Sequence, residues 1–447
     1  MRAIADRVLR LAARAACLGW FRSVEVSGRD RVRWEGPLLV VANHTGGFVD
    51  AALLCDVLPR VPRFLAMARL WKVWPARPFL ALAGAIPVQR AVDGSTTGNV
   101  GTFAAAEEAL RGGGIVAIFP EGQASDEPRL LPVKTGAARI ALGARARGVA
   151  GVRIVPVAIV YEAKQRARSR AYVRVGDPLD LEAAPRGLDG AGDEDHGAVR
   201  ALTEEIRRRL ADAAVDYDDA AQAADLWLAA EVSLRRAGGS PSWTPPLSAL
   251  EERAGALVAL PSDAQAEVRR AVADYRHALE VNATSDRAVA AGRRHGLSAA
   301  RVAGGVLTVL MLPLALVGLV VNAVPALFVH LAGRRAAAPV TLATVKFLVA
   351  LIAFPLAWFA LRRWVVGGAA HPLLLTAALG PGCGLVAAVV GDRVRRARLA
   401  RLRPGRLVVP DRAAEDLLER RAWLVETVAA ALGEAAAGPG SPMHPRW

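Results

Sequence analysis

Residues 302–333 contain no Asp, Glu, Lys or Arg. That stretch of 32 positions exceeds the roughly 20 apolar residues that cross a bilayer's hydrocarbon core. Two more apolar runs follow closely, Phe347 to Leu361 and Val365 to Gly391. A single run of this kind suits a buried soluble core; three in close succession point to a membrane-embedded region. Gly304, Gly305, Pro313, Asn322 and Pro325 lie inside the first run and predict a re-entrant hairpin there rather than a plain span. Every connector is positive: Arg334 and Arg335, then Arg362 and Arg363, then Arg393, Arg395, Arg396, Arg398, Arg401 and Arg403. Three plain spans would force positive charge across the membrane, so the pattern predicts embedded hairpins with their connectors on the cytoplasmic side.

The rest of the 447 residues must be reconciled with that region. Lys plus Arg number 57 against 42 Asp plus Glu, a net charge of +15, and 53% of residues are hydrophobic. A disordered chain would be polar and highly charged, which excludes disorder for the chain as a whole. Only Lys72, Lys134, Lys164 and Lys346 are lysines and aromatics make up 5%, so the basic excess lacks the make-up of a nucleic-acid binder. An anionic membrane lipid surface is the expected partner, and no nucleic acid. Cys17, Cys55 and Cys383 fit neither a paired nor a metal-ligand spacing, which predicts a reducing compartment and no metal. Arg7, Arg10 and Arg14 interrupt the apolar core that a secretory signal would need. Ile4, Val8, Leu11, Ala15 and Leu18 instead recur at helical spacing. Two readings of this amphipathic helix stand: it lies on a membrane, or it packs on the domain that follows.

From about residue 36 to 180, short apolar runs alternate with helical stretches. Strands are expected at 37–42, 63–67, 86–89, 115–119, 154–160 and 172–175, with helices near 50–58, 100–111 and 135–147. This predicts an α/β fold, a mostly parallel sheet flanked by helices, followed by a helical module and a C-terminal membrane-embedded helical region. The strands are apolar on both faces, as a helix-covered sheet requires. In sequence the chain divides into an N-terminal helix (1–24), the α/β domain (25–180), a Gly/Asp/Pro-rich linker (181–197), a helical module (198–300), membrane-embedded helices (301–403) and a helical tail (404–447).

Chemistry-bearing residues gather at strand ends. His44 leaves the strand Val40-Val41-Ala42, and open α/β sheets present their ligand sites at such C-terminal ends. Gly46 and Gly47 let the chain turn, and Asp50 falls near the start of the next helix, within reach of the imidazole. A neutral imidazole held in one tautomer is a general base for a hydroxyl proton. Arg90 closes Gly84-Ala-Ile-Pro-Val-Gln-Arg90, and its guanidinium suits bidentate phosphate binding. Ile115-Val-Ala-Ile-Phe-Pro120-Glu121-Gly122 ends in a carboxylate and a glycine that permits close backbone approach, and Lys134 opens the next helix. No nucleophilic Ser or Cys motif accompanies them, which favours direct transfer onto a substrate hydroxyl over a covalent intermediate. Asp93, Ser125 and Asp126 are turn residues that also suit a place beside the site, and Trp20, Trp71, Trp74 and Trp364 are candidate interfacial anchors.

Four blocks in order, NHTGGFVD, GAIPVQR, FPEGQASDEPRLLPVKTGAARIALGA and VRIVPVAIV, make residues 25–180 resemble the glycerolipid acyltransferases related to lysophosphatidate acyltransferase. The resemblance implies that His44 and Asp50 are catalytic, that Arg90, Glu121 and Gly122 bind a phosphate-bearing acceptor, and that Pro156 lies near the acyl donor. Two departures narrow it. Five residues rather than four separate His44 from Asp50, and Gln123-Ala124-Ser125 stands where the third block usually carries Thr-Arg-Ser. Both look like the fungal-type glycerol-3-phosphate/dihydroxyacetone-phosphate acyltransferase branch and its bacterial relatives, as does the stretch Leu342 to Pro355. With the motif arginine absent, Lys134 is the nearest spare cation for a second phosphate contact.

The expected activity is therefore transfer of a fatty acyl group to glycerol 3-phosphate or dihydroxyacetone phosphate at the cytoplasmic face of a membrane. Acyl-CoA or acyl carrier protein (acyl-ACP) serves as co-substrate, and no other cofactor is expected. Acylation of 1-acylglycerol 3-phosphate and a catalytically silent membrane scaffold are the alternatives.

Overall fold

The computed structural model describes residues 2–72, 77–89, 99–183, 192–235, 243–291, 299–336, 338–400 and 411–434. The chain forms two compact units, each assembled from two segments. The first is Met1–Ala214 with Val324–Ala357, and the second is Val215–Ala323 with Trp358–Trp447.

The first unit opens with α1 (Arg2–Trp20), β1 (Phe21–Ser27), β2 (Leu38–Ala42), α2 (Phe48–Val57), β3 (Arg63–Met67), α3 (Arg77–Ala83) and β4 (Ile86–Val88). It continues through α4 (Asn99–Arg111), β5 (Ile115–Ile118), α5 (Gly136–Ala146), β6 (Arg153–Tyr161), β7 (Ser169–Val175), β8 (Leu179–Asp180) and α6 (His196–Ala213). The eight strands form one sheet in the order β1-β7-β6-β2-β5-β3-β4, with β8 also on β6. Five of the pairings are parallel; β7 and β8 run antiparallel to β6. The mostly parallel α/β expectation holds. β1 and β8 were not expected: β1 alternates polar and apolar residues, and β8 is only two residues long.

Strand β2 shows why its residues are apolar throughout. Leu38, Val40 and Ala42 enter the core packed by α1 and α2, while Leu39 and Val41 enter the one packed by α4, α5 and α6. Side chains alternate across a sheet, so a central strand covered on both faces needs an unbroken apolar run. Helix α6 is started by Asp195, whose carboxylate accepts from the Gly197 and Ala198 N–H groups, and it buries Val199, Leu202, Ile206 and Leu210 in the second of these cores.

Of the two readings of its sequence, helix α1 shows the packing on the domain that follows. Ala13, Cys17 and Trp20 are buried on the domain, and Arg2 and Arg10 donate to the Leu82, Ala83 and Pro59 carbonyls. The stripe Ile4, Val8, Leu11 and Leu18 faces the other way and is exposed. Trp20 is thus a core residue and not an interfacial anchor. Trp74 and Asp93 lie outside the described residues, while Trp364 is exposed.

The second unit holds α7 (Ala220–Leu234), α8 (Leu247–Val258), α9 (Ser262–Val281), α10 (Asp286–Ala291), part of α11 (Ala299–Arg334), the end of α12 (Pro339–Trp364), α13 (Pro372–Ala377), a π-turn at Ala378–Gly382, α14 (Cys383–Ala400) and α15 (Asp411–Ala431). Asp286 is buried between Arg235 (2.6 Å) and Arg421 (2.8 Å) and accepts from the Tyr275 hydroxyl (3.1 Å). Among the described residues, Ala303–Arg334, Thr341–Trp364 and Pro372–Arg395 are long and apolar enough to cross a membrane. The first is one unbroken helix, not the expected re-entrant hairpin. Of the residues that suggested a break, Asn322 serves packing instead. Asn322 donates to the Gly318 and Gly380 carbonyls and accepts from Trp358 Nε1 (2.9 Å), and Gly318 leaves room for the Cys383 backbone. Small residues for close approach and a satisfied polar bridge are how apolar helices associate.

Candidate active site

The three adjacent strands β6, β2 and β5 release their C-terminal ends side by side, and the candidate residues follow from them. After β2, Asn43 ties the loop to β6 by a reciprocal pair: its Nδ2 donates to the Ile159 carbonyl (3.0 Å) and its Oδ1 accepts from Ile159 N–H (2.7 Å). His44 follows. Gly47, at φ 65°, turns the chain back so that α2 starts at Phe48 and delivers Asp50 to the imidazole.

Asp50 is fully buried while the His44 side chain is 19% exposed, and Nδ1 lies 2.8 Å from Asp50 Oδ2. The Asp50 carboxylate also accepts from Gly46 N–H (2.9 and 3.0 Å) and from the Tyr161 hydroxyl (2.6 Å). A carboxylate surrounded by donors makes Nδ1 the protonated nitrogen and leaves Nε2 as the basic one. Burial pushes the Tyr161 phenol well above its ordinary range, and the Asp50 charge adds to the effect, so it stays a donor. The His44 ring stacks on Phe119, with centroids 4.0 Å apart, which fixes its plane.

Glu121 was expected to face an acceptor. It faces the protein instead: it is 4% exposed, and its oxygens accept from His44 N–H (2.8 Å) and Leu131 N–H (3.2 Å). Burial raises its carboxyl above the ordinary carboxylate value, and the two N–H donors pull it part of the way back. Gly122 has φ 73°, and the Lys134 chain passes over it so closely that a methyl there would meet Nζ. Lys134 is exposed, and its N–H donates to the Pro120 carbonyl. His44, Asp50, Glu121, Gly122 and Lys134 are thus gathered in one place. Arg90 lies outside the described residues. Pro156 is buried within β6, in register with Val41.

Sequence reasoning missed Tyr161 and Lys164. Lys164 Nζ donates to the Thr45 (2.6 Å) and Ser125 (2.9 Å) carbonyls and pairs with Asp126 (2.6 Å), while Ser125 N–H donates to the His44 carbonyl. It clamps the loop after β2 to the loop after β5. Tyr161 could have been found as the polar last residue of an apolar strand, had β6 been known to lie beside β2. Neither Cys17 nor Cys55 offers a nucleophile: both are buried, and burial pushes the Cys55 thiol up to about 12 and Cys17 higher. Among the described residues, no cluster of three His, Cys, Asp or Glu side chains is arranged to hold a metal ion.

This stretch of chain is similar to known proteins. The family model Acyltransferase matches residues 23–160. Glycerol-3-phosphate O-acyltransferase 2 of Saccharomyces cerevisiae is 40% identical over 85 residues, 19% of this chain and 11% of the yeast protein. Lyso-ornithine lipid O-acyltransferase of Brucella abortus is 36% identical over 155 residues, 33% of this chain and 55% of that protein. The chain therefore spans about a tenth of one relative and about half of the other. A solved structure, the 1-acyl-sn-glycerophosphate acyltransferase PlsC of Thermotoga maritima, aligns at a TM-score of 0.35 with 20% identity, over 47% of this chain and 83% of that one. Residues 23–160, about a third of the chain, are thus similar to acyltransferases.

Proposed function

We propose that the protein transfers a fatty acyl group from acyl-CoA or acyl-ACP to the hydroxyl of glycerol 3-phosphate or dihydroxyacetone phosphate, at the cytoplasmic face of the membrane. The observation that carries this reading is His44, held through Nδ1 by a fully buried Asp50 and presented at the end of β2. Nε2 takes the proton of the acceptor hydroxyl as its oxygen attacks the thioester carbonyl; a C–O bond forms. The C–S bond then breaks, and the proton passes from Nε2 to the departing thiolate. Asp50 and Tyr161 hold the ring and its charge, and Glu121 fixes the His44 backbone. Arg90, by the motif resemblance, and Lys134 beside Gly122 supply cations for the acceptor phosphate.

The membrane assignment is supported by the three apolar helices. The outward stripe of α1, with Arg7 and Arg14 also exposed, suits an anionic lipid surface. A second reading, acylation of a lyso-lipid such as 1-acylglycerol 3-phosphate, is favoured by the longer alignment with the lyso-ornithine relative.

The test is an acyl-transfer assay on the full chain in detergent. It offers glycerol 3-phosphate, dihydroxyacetone phosphate, 1-acylglycerol 3-phosphate and lyso-ornithine lipid with both donor types. Turnover is expected with a water-soluble phosphorylated acceptor and should fall about a hundredfold to ten-thousandfold in His44→Ala. Turnover with a lyso-lipid alone selects the second reading, and full activity in His44→Ala refutes the assigned base.

A further inference from the structure

Helix α2 begins without a cap of its own. Its N-cap position is Gly47, which has no side chain to accept from the first-turn N–H groups that a helix leaves unpaired. The missing acceptor comes from the other end of the chain. Thr344, in the first turn of the apolar span Thr341–Trp364, accepts from Phe48 N–H through Oγ1 at 3.1 Å. The same hydroxyl lies 3.3 Å from the Gly46 carbonyl, to which it donates. Thr344 therefore grips the residues on either side of Gly47, the pivot that turns the chain from His44 to Asp50. A methyl at Gly47 would overlap Thr344 Oγ1.

The grip is anchored. Ala343 and Phe347, beside Thr344 on α12, are 1% and 2% exposed in the core packed by α1 and α2. Phe347 meets Trp20 edge-on at 5.4 Å and Phe48 at 6.2 Å, and Lys346 Nζ donates to the Gln165 carbonyl. Gly46 then links the two ends of the device. Its N–H donates to Asp50, and its carbonyl accepts from Thr344. The five-residue spacing between His44 and Asp50 makes a wide loop, whose turn is braced from α12.

We propose that Thr344 is a positioning residue for acyl transfer, a cap supplied to α2 from a membrane-span helix, so that the His44–Asp50 pair takes its reactive geometry only with α12 docked on the catalytic unit. The inference rests on the acyl-transfer reading above, and one set of assays separates the two. Wild type, His44→Ala, Thr344→Val and Thr344→Ser are compared as full chains in detergent. Thr344→Val keeps the shape and removes the hydroxyl; Thr344→Ser keeps the hydroxyl. In Thr344→Val, kcat is expected to fall about tenfold, equivalent to about 1.4 kcal/mol. Acceptor KM should stay within about twofold and the melting midpoint within about 2 °C, while Thr344→Ser should keep kcat within about twofold. Wild-type kcat in Thr344→Val alongside an inactive His44→Ala overturns the proposal and leaves the acyl-transfer reading standing. Equal losses in the two Thr344 variants, or a loss of kcat matched by a lowered melting midpoint, overturn it as well, because packing would then account for the effect. No turnover in wild type with any acceptor refutes the reading beneath it.

Discussion

A carboxylate beside the proposed phosphate site would cost affinity unless it were occupied elsewhere, and Glu121 is occupied: both oxygens are bonded to backbone N–H groups. Its role is to hold the His44 backbone where the side chain can turn toward Asp50. Burial keeps its carboxyl above the ordinary value of 4.5. A folded value above the unfolded one means the folded state binds that proton more tightly. The associated stability is present in full below about pH 4.5 and is lost as pH rises through the folded value. The melting midpoint of wild type minus that of Glu121→Gln is therefore expected to fall from about pH 4 to about pH 8. A flat difference would mean an unshifted carboxyl and a rising one a lowered carboxyl; either outcome overturns the assignment. At this scale the motifs disclose His44, Asp50, Glu121 and Gly122, because each follows a recognisable strand or glycine turn. They do not disclose Tyr161, Lys164 or Thr344. Tyr161 reaches Asp50 from a strand 111 residues away and Thr344 reaches Gly46 from a helix 298 away, and nothing in local sequence marks either.

Among elements, α1 carries the most condensed design. Its period-3.6 apolar stripe reads clearly in the sequence, yet that stripe is the exposed side. The buried side is Ala13, Ala16, Cys17 and Trp20, mostly small residues whose value lies in letting α1 approach α2 closely. Hydropathy weights them too lightly for a sequence pattern to reveal the packed face. A helix held to its domain on one side and apolar on the other, with Arg7 and Arg14 exposed, fits the plane of a lipid interface. A spin label on Leu11→Cys tests this, since the three native cysteines are buried. In vesicles with anionic lipid the label should be more accessible to oxygen than to a water-soluble nickel relaxant. Water-like accessibility there would place the stripe outside the bilayer interface. The alternating strands and helices of the sheet were legible because each is a contiguous pattern. The unbroken course of α11 was not, because Pro and Gly in an apolar run carry the same signal whether they break a helix or let a neighbour approach it.

On the scale of the whole molecule, the unit that carries the candidate site is not a contiguous stretch of chain. Sequence boundaries that follow composition end the α/β domain near residue 180, and the family match ends at 160. The compact unit runs to Ala214 and is completed by Val324–Ala357. The late segment supplies Ala343 and Phe347 to a core otherwise drawn from α1, α2 and the sheet. Composition cannot reveal this, because a phenylalanine that packs on a domain and one that faces lipid look alike in an apolar helix. Removing a buried phenylalanine side chain costs about 3–5 kcal/mol, a large share of the roughly 5–15 kcal/mol that stabilises a folded domain. Phe347→Ala in the full chain is therefore expected to lower the melting midpoint of the catalytic unit and to speed hydrogen exchange in α2 and β1, whose residues line the same core. A chain cut after Ala214 loses Ala343, Thr344 and Phe347 together and is expected to exchange faster still and to lack acyl transfer. If the cut chain keeps wild-type turnover and exchange, α12 is only an anchor. If it loses both while Phe347→Ala loses stability alone, α12 belongs to the folding unit that carries the candidate site.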